Sequence, residues 1–200
     1  ENGQKVLVGY HMRIVRDRPG NLTKDFRVEG YNGKLCCFFG RQMNVKETLV
    51  IVGGQVDVVS AIQMYQTAMS KYPSRIPIVV STQLGESSTF ETIKTEYEWV
   101  SKFDKVVLCL DQDQAGIAAT SSCKEVLDPD TTLTANLSLK DVNCYLQPKE
   151  GKTAGDFCQD SYWKATPSRD FGVVDSSYLF ESALEKLGQE KIPFPKFLKD

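Results

Sequence analysis

The strongest constraint on this chain is a change of rhythm at residue 48. From there, short uninterrupted apolar runs alternate with stretches of helical spacing. The runs are TLVIV (48–52), IPIVVS (76–81), KVVLCLD (105–111) and LTANLSL (133–139). A run without polar alternation suits a strand covered on both faces of a parallel sheet. Between the runs, Val58, Ile62, Tyr65 and Met69 share one helical face, and Phe90, Ile93, Tyr97 and Val100 share another. Ser88 with Glu91 predicts a capping box at the start of the second helix. An Ala-rich helix through Val126 precedes the fourth run. The order β-α-β-α-β-α-β predicts an α/β fold with a mainly parallel sheet and flanking helices. In such sheets the site lies at the carboxyl ends of the strands.

The front of the chain reads differently. VLVGYHMRIV (6–15), DFRVEGY (25–31) and KLCCFFG (34–40), with turns at RPGN (18–21) and YNGK (31–34), predict a small antiparallel β-rich subdomain. Charge divides at the same place. The net charge of −2 conceals nine Lys and Arg against four Asp and Glu in residues 1–46, and fifteen against twenty-two beyond. A basic lobe beside an acidic one suits a polyanion partner and a carboxylate site; scatter over solvated faces would give the same count.

Other features exclude classes. The apolar runs fall well short of the ~20 residues that span a bilayer, so no membrane partner is expected. The six cysteines include no C-x-x-C pair and there is a single histidine, His11, which disfavours zinc and predicts reduced core thiols in a cytoplasmic protein. His11 reads as a half-exposed strand residue. Phe38, Phe39, Tyr97, Trp99 and Phe103 read as packing between sheet and helices.

The chemistry-bearing residues gather at strand ends. LDQDQAG puts Asp111 and Asp113 at a strand-to-helix turn, GGQVD puts Asp57 in the first turn of a helix, and LKDVN brings Lys140, Asp141 and Asn143 to a third strand end. Two carboxylates one residue apart suit a hard, oxygen-seeking ion such as Mg²⁺, with Mn²⁺ able to substitute. An isolated pair of this kind is more often a helix cap. GESS (85–88) precedes a helix and reads either as a phosphate-facing turn or as a cap.

These residues resemble the Toprim family, in particular the RNA-polymerase part of bifunctional phage primase–helicases and, more distantly, bacterial replicative primases. VVSTQLGESSTFETIKTEYEWVSKFDKVVLCLDQDQAG (79–116) resembles the family's stretch from its second strand through D-x-D, and LKDVN resembles its K-D-A-N segment. GYHMRIVRD (9–17), KDFRV (24–28) and FFGRQM (38–43) resemble its basic front. The resemblance implies three regions: a basic N-terminal subdomain at 1–46, a Toprim catalytic subdomain at 47–150, and a helix (177–187) with a linker towards a helicase domain at 151–200. It further implies a DNA primase that makes short RNA primers from NTPs on a single-stranded DNA template, alongside a helicase domain or other replisome proteins. Asp111 and Asp113 would hold Mg²⁺, and Asp57 would orient a neighbouring group. Arg13, Lys24, Arg27, Lys140, Asp141 and Asn143 would contact nucleotide or template.

One position departs from the family. Its first motif carries Glu where this chain has Gly53. An engineered inactivation, a natural loss of function and compensation by a nearby acid such as Glu86 all account for it. The alternative function is a non-catalytic DNA-binding or assembly module on the same scaffold. A Toprim nuclease or topoisomerase fragment lacks support, since nothing here supplies a topoisomerase's tyrosine domain.

Overall fold

All four apolar runs enter a single sheet. A computed structural model describes residues 9–14, 25–30 and 37–168. Strands β1 (Gly9–Ile14) and β2 (Asp25–Gly30) form an antiparallel ribbon. The main sheet has six strands: β3 (Phe38–Phe39), β4 (Thr48–Val52), β5 (Ile78–Thr82), β6 (Lys105–Cys109), β7 (Thr132–Thr134) and β8 (Thr166–Pro167). Their spatial order is β3-β5-β4-β6-β7-β8. The four inner strands are parallel, and β3 and β8 close the edges antiparallel. The protein is therefore an α/β fold with a mixed, mainly parallel sheet and a small N-terminal β-hairpin.

Helices cover both faces, and the strand residues alternate between them. Val50 and Val52 join Val79, Val107 and Cys109 against α1 (Gln55–Ala68) and the segment 142–162. Leu49 and Ile51 join Ile78, Val80, Val106 and Leu108 on the other face. That face carries α2 (Thr89–Thr95), α3 (Tyr97–Val100) and α4 (Gln114–Lys124). A last short helix, α5 (Ala154–Cys158), starts with a capping box of Thr153 and Asp156 and packs on α1. Among the described residues no helix is long and apolar enough to cross a membrane.

Several expectations shift. The described end of the KLCCFFG run lies in the main sheet: Phe38 and Phe39 pair with Thr82 and Ser81 on the outer edge of β5. Phe38 is buried there, its ring 5.9 Å from that of Trp99, while Phe39 remains exposed. The second helix breaks at Glu96, which changes the phase of its buried stripe. Trp99 and Val100 are buried as expected, but Tyr97 is left exposed. The expected capping box fails because the Ser88 hydroxyl donates to the Gly85 carbonyl instead. Cys109, Cys123 and Cys158 are buried free thiols, whereas Cys37 and Cys144 are only half-buried. Burial pushes the Cys123 thiol up to about 12, so it stays protonated. The turns at 18–21 and 31–34, Lys24 and the segment 177–187 lie outside the described residues.

The fourth strand is also shorter than expected: the Ala135 N–H still donates to the Leu108 carbonyl of β6, but residues 136–138 turn away to bind the segment 159–163. The Asn136 N–H donates to the Asp160 carbonyl at 3.0 Å. The buried Asp160 carboxylate accepts from the Tyr145 and Ser138 hydroxyls at 2.7 Å each. Burial opposes this charge, but the bonds from Tyr145 and Ser138 outweigh it and hold the carboxyl below its usual range. A depressed native pKa stabilises the fold above the unfolded value of about 3.9, and the benefit is lost as pH falls through the native value. Asp160→Ala should therefore cost about 2 kcal/mol at neutral pH. Urea denaturation at pH 7 checks this, and a parallel series in acid should show the difference shrinking.

Candidate functional site

Chain connectivity opens a crevice between β4 and β6. The connection from β4 runs through α1 to β5 on one side, and the connection from β6 runs through α4 to β7 on the other. Where neighbouring strands send their connections apart, their carboxyl ends border an open space. A cleft of about 630 Å³ lies there, lined by Gly53, Asp57, Glu86, Asp111, Asp141 and Asn143 among others. Four segments distant in sequence thus meet at one place.

Asp57 is buried in the first turn of α1. Its Oδ1 accepts a short hydrogen bond from the Asn143 amide, and Asn143 Oδ1 accepts from the Ser60 hydroxyl at 2.5 Å. Asp57 and Ser60 lie three apart on one helix face, so Asn143 bridges both. Asp141 begins the short 3₁₀ turn Val142–Leu146 by accepting the Cys144 N–H at 2.9 Å, which sets Asn143 in place. The Gln112 N–H donates to the Lys140 carbonyl at 2.7 Å and ties this loop to the end of β6.

Asp111 follows β6, and its backbone is packed against glycine. A Cβ on Gly116 would lie 2.1 Å from the Asp111 carbonyl oxygen, so a larger residue would displace the turn. Asp113 is the N-cap of α4. Its Oδ1 accepts the N–H groups of Ala115 and Gly116, at 3.2 and 3.1 Å, and its Oδ2 faces Lys140 Nζ at 3.6 Å. The Gly116 N–H foremost, then Lys140, holds the Asp113 carboxyl below its ordinary pKa. Asp113 and Lys140 stand outside the cleft lining.

Opposite them, the loop after β5 carries Glu86. Gly85 has a φ of +85°, a conformation that favours glycine, and its carbonyl accepts the hydroxyls of Thr82 and Ser88 at 2.7 Å each. GESS thus presents a carboxylate to the cleft: Glu86 Oε1 accepts the Asp111 N–H at 2.7 Å. Burial raises the Glu86 pKa, the Asp111 N–H opposes the rise, and the charges of Asp111 and Asp113 add to it for a net increase.

The front ribbon places its basic residues out of step. Arg13 pairs with Phe26, while Arg27 pairs with Met12. The Arg27 guanidinium is exposed and bonded to Glu29 at 2.8 Å. Ser60, Leu84 and Val56 belong to the site or its lining although sequence reasoning did not single them out. Ser60 could have been found from its spacing to Asp57. Leu84 and Val56 carry no such signal, being exposed apolar residues at the cleft.

The cleft lining offers the carboxylates of Asp57, Glu86, Asp111 and Asp141 and neither histidine nor cysteine, and a hard divalent ion takes oxygen ligands. Among the described residues no three of His, Cys, Asp or Glu converge as a metal-holding group. Mg²⁺ commonly keeps most of its waters and takes only one or two carboxylates, so Asp111 with one neighbour is a compatible donor set.

Comparison with known proteins gives consistent likenesses. Residues 50–146 match the Toprim-like protein family. Over 190 residues the chain is 24% identical to the DNA helicase/primase of Enterobacteria phage T3, covering 90% of this chain and 31% of that protein. The chain thus spans about a third of that curated relative's length. The fold is shared with a chain in the structure of the bacteriophage T7 lagging-strand DNA polymerase interacting with primase domains of two gp4 subunits bound to an RNA/DNA hybrid and dTTP. That match has a TM-score of 0.58 and 24% identity, over 72% of this chain and 67% of the other. The crystal structure of the primase fragment of the bacteriophage T7 primase-helicase protein matches with a TM-score of 0.53 and 21% identity, over 70% and 54%.

Removing the Asn143 amide would leave the Asp57 carboxylate buried without that donor. Asn143→Ala should destabilise the domain by about 2 kcal/mol, the usual cost of losing a hydrogen bond to a buried charge. Thermal denaturation followed by circular dichroism would measure it.

Proposed function

Because residues 50–146 form a Toprim-fold domain homologous to phage primase–helicase proteins, we propose that the chain is a primase polymerase domain. It joins NTPs into short RNA primers on single-stranded DNA during replication. The observation that carries this reading is the cleft at the β4–β6 divergence, lined by Asp111 together with Asp57 and Asn143, which are hydrogen-bonded to each other. Nucleotidyl transfer needs little from a protein beyond placement and charge neutralisation. The primer 3′-hydroxyl attacks the α-phosphorus of the incoming NTP, an O–P bond forms, and pyrophosphate leaves as the hydroxyl proton is released.

In this reading Asp111 holds Mg²⁺, or Mn²⁺ in its place, with Asp113 as the second D-x-D carboxylate. The ion, when bound, supplies positive charge to the phosphate oxygens. Asp57 is kept in place by Asn143 and fixes the first turn of α1 at the cleft edge. Lys140 pairs with Asp113 in the resting site and is a cation at the D-x-D turn available to a triphosphate. Arg13, Lys24 and Arg27 take template phosphates, and Asp141 and Asn143 shape the nucleotide-facing wall. Contacts of the phosphate type give affinity without sequence choice and weaken with salt. A helicase domain or other replisome protein is the proposed partner.

Gly53 favours a second reading, a DNA-binding or assembly module without catalysis, since it leaves the end of β4 with no side chain. One experiment separates the two. The chain is incubated with labelled NTPs, single-stranded DNA and Mg²⁺, and dinucleotides are resolved. Template-dependent product is expected, and Asp111→Asn should lower its rate roughly 100-fold or more, given the several kcal/mol that metal neutralisation supplies. Glu98→Gln, on an exposed helix surface, should leave it unchanged. Salt-sensitive DNA binding without any product, and unaltered in Asp111→Asn, would favour the module.

A further inference from the structure

We infer that Glu86 is a metal-facing carboxylate of this site, delivered by the β5–α2 loop into space that Gly53 leaves open at the end of β4. The geometry at Gly53 is the starting point. Its backbone φ lies outside the left-handed region, so backbone twist does not demand a glycine there. What glycine provides is room. A Cβ at this position would lie 2.5 Å from Glu86 Oε1 and 3.0 Å from Asp111 Oδ1. The two carboxylates therefore border one small volume, and Glu86 fills part of what a side chain on residue 53 would occupy.

The loop is built to hold the acid there. The left-handed turn at Gly85 aims the chain at the cleft, two hydroxyls fix the Gly85 carbonyl, and the Asp111 N–H holds Glu86 Oε1. Two carboxylates kept side by side repel each other, and a divalent cation between them removes that repulsion. The pair Glu86–Asp111 also meets the small carboxylate count that Mg²⁺ needs. The acid that the family resemblance would place on residue 53 thus arrives from another element. This inference shares its ion with the primase reading, but it concerns metal binding and is measured without turnover.

The test is titration of the full chain with Mn²⁺ alone, followed by electron paramagnetic resonance of the free ion. Glu86→Gln should weaken Mn²⁺ binding about ten-fold or more, as loss of a ligating or ligand-supporting group does. Gly53→Ala should weaken it similarly, because the new methyl pushes the flexible end of Glu86 aside. Circular dichroism would confirm that both variants stay folded. In the Glu86→Gln background, Gly53→Glu should return most of the affinity by restoring a carboxylate from β4. The inference is overturned if Glu86→Gln binds Mn²⁺ as the parent does, or if the parent binds none. Glu86-dependent Mn²⁺ binding without dinucleotide synthesis would support this inference while refuting the primase reading. Synthesis indifferent to Glu86→Gln would do the reverse.

Discussion

The handedness of parallel crossovers governs this molecule. A strand–helix–strand connection packs back on its sheet in a right-handed sense. The chain steps from β4 outward to β5, then returns across β4 to β6 and continues to β7. Reversing direction under a fixed handedness forces the helices onto opposite faces, with α1 on one side and α2 to α4 on the other. That is why the inner strands lack polar alternation. It is also why β4 and β6 part at their carboxyl ends, leaving a crevice. Core composition and site location are two results of one geometric rule.

The rest of the architecture holds the crevice in shape. Residues 136–138 turn away from the sheet and bind the segment 159–163 through Asp160, with Tyr145 joining Ser138 on its carboxylate. The loop that follows is thereby anchored before it reaches Asp141 and Asn143. Asn143 then joins it to α1 through Asp57 and Ser60. A carboxylate distant from the cleft thus helps position the wall of the cleft.

The fold was largely legible because apolar runs report burial on two faces, and burial on two faces reports a parallel sheet with helices. The details that escaped were decided by tertiary contacts. The Ser88–Glu91 spacing is right for a cap, yet Gly85 offered the serine a closer partner. Phe38 looked like part of the front sheet because sequence cannot show that Trp99 would pack beside it. Tyr97 fits the stripe of an unbroken helix, and the break at Glu96 is invisible to periodicity. At the site, strand-end acids could be seen gathering, but their division of labour could not. Asp113 is engaged as a helix cap, and Glu86, named from sequence only as one nearby acid, lies against the space a side chain on residue 53 would take.

The contact between Gly116 and the Asp111 carbonyl has a genetic consequence. A change there to alanine alters no charge and removes no carboxylate, yet it would shift the backbone that carries Asp111 and the N–H that caps Asp113. Alleles that disrupt the cleft of such a domain should therefore include changes at residues with no functional group of their own. A survey that looks only for lost carboxylates would pass over them.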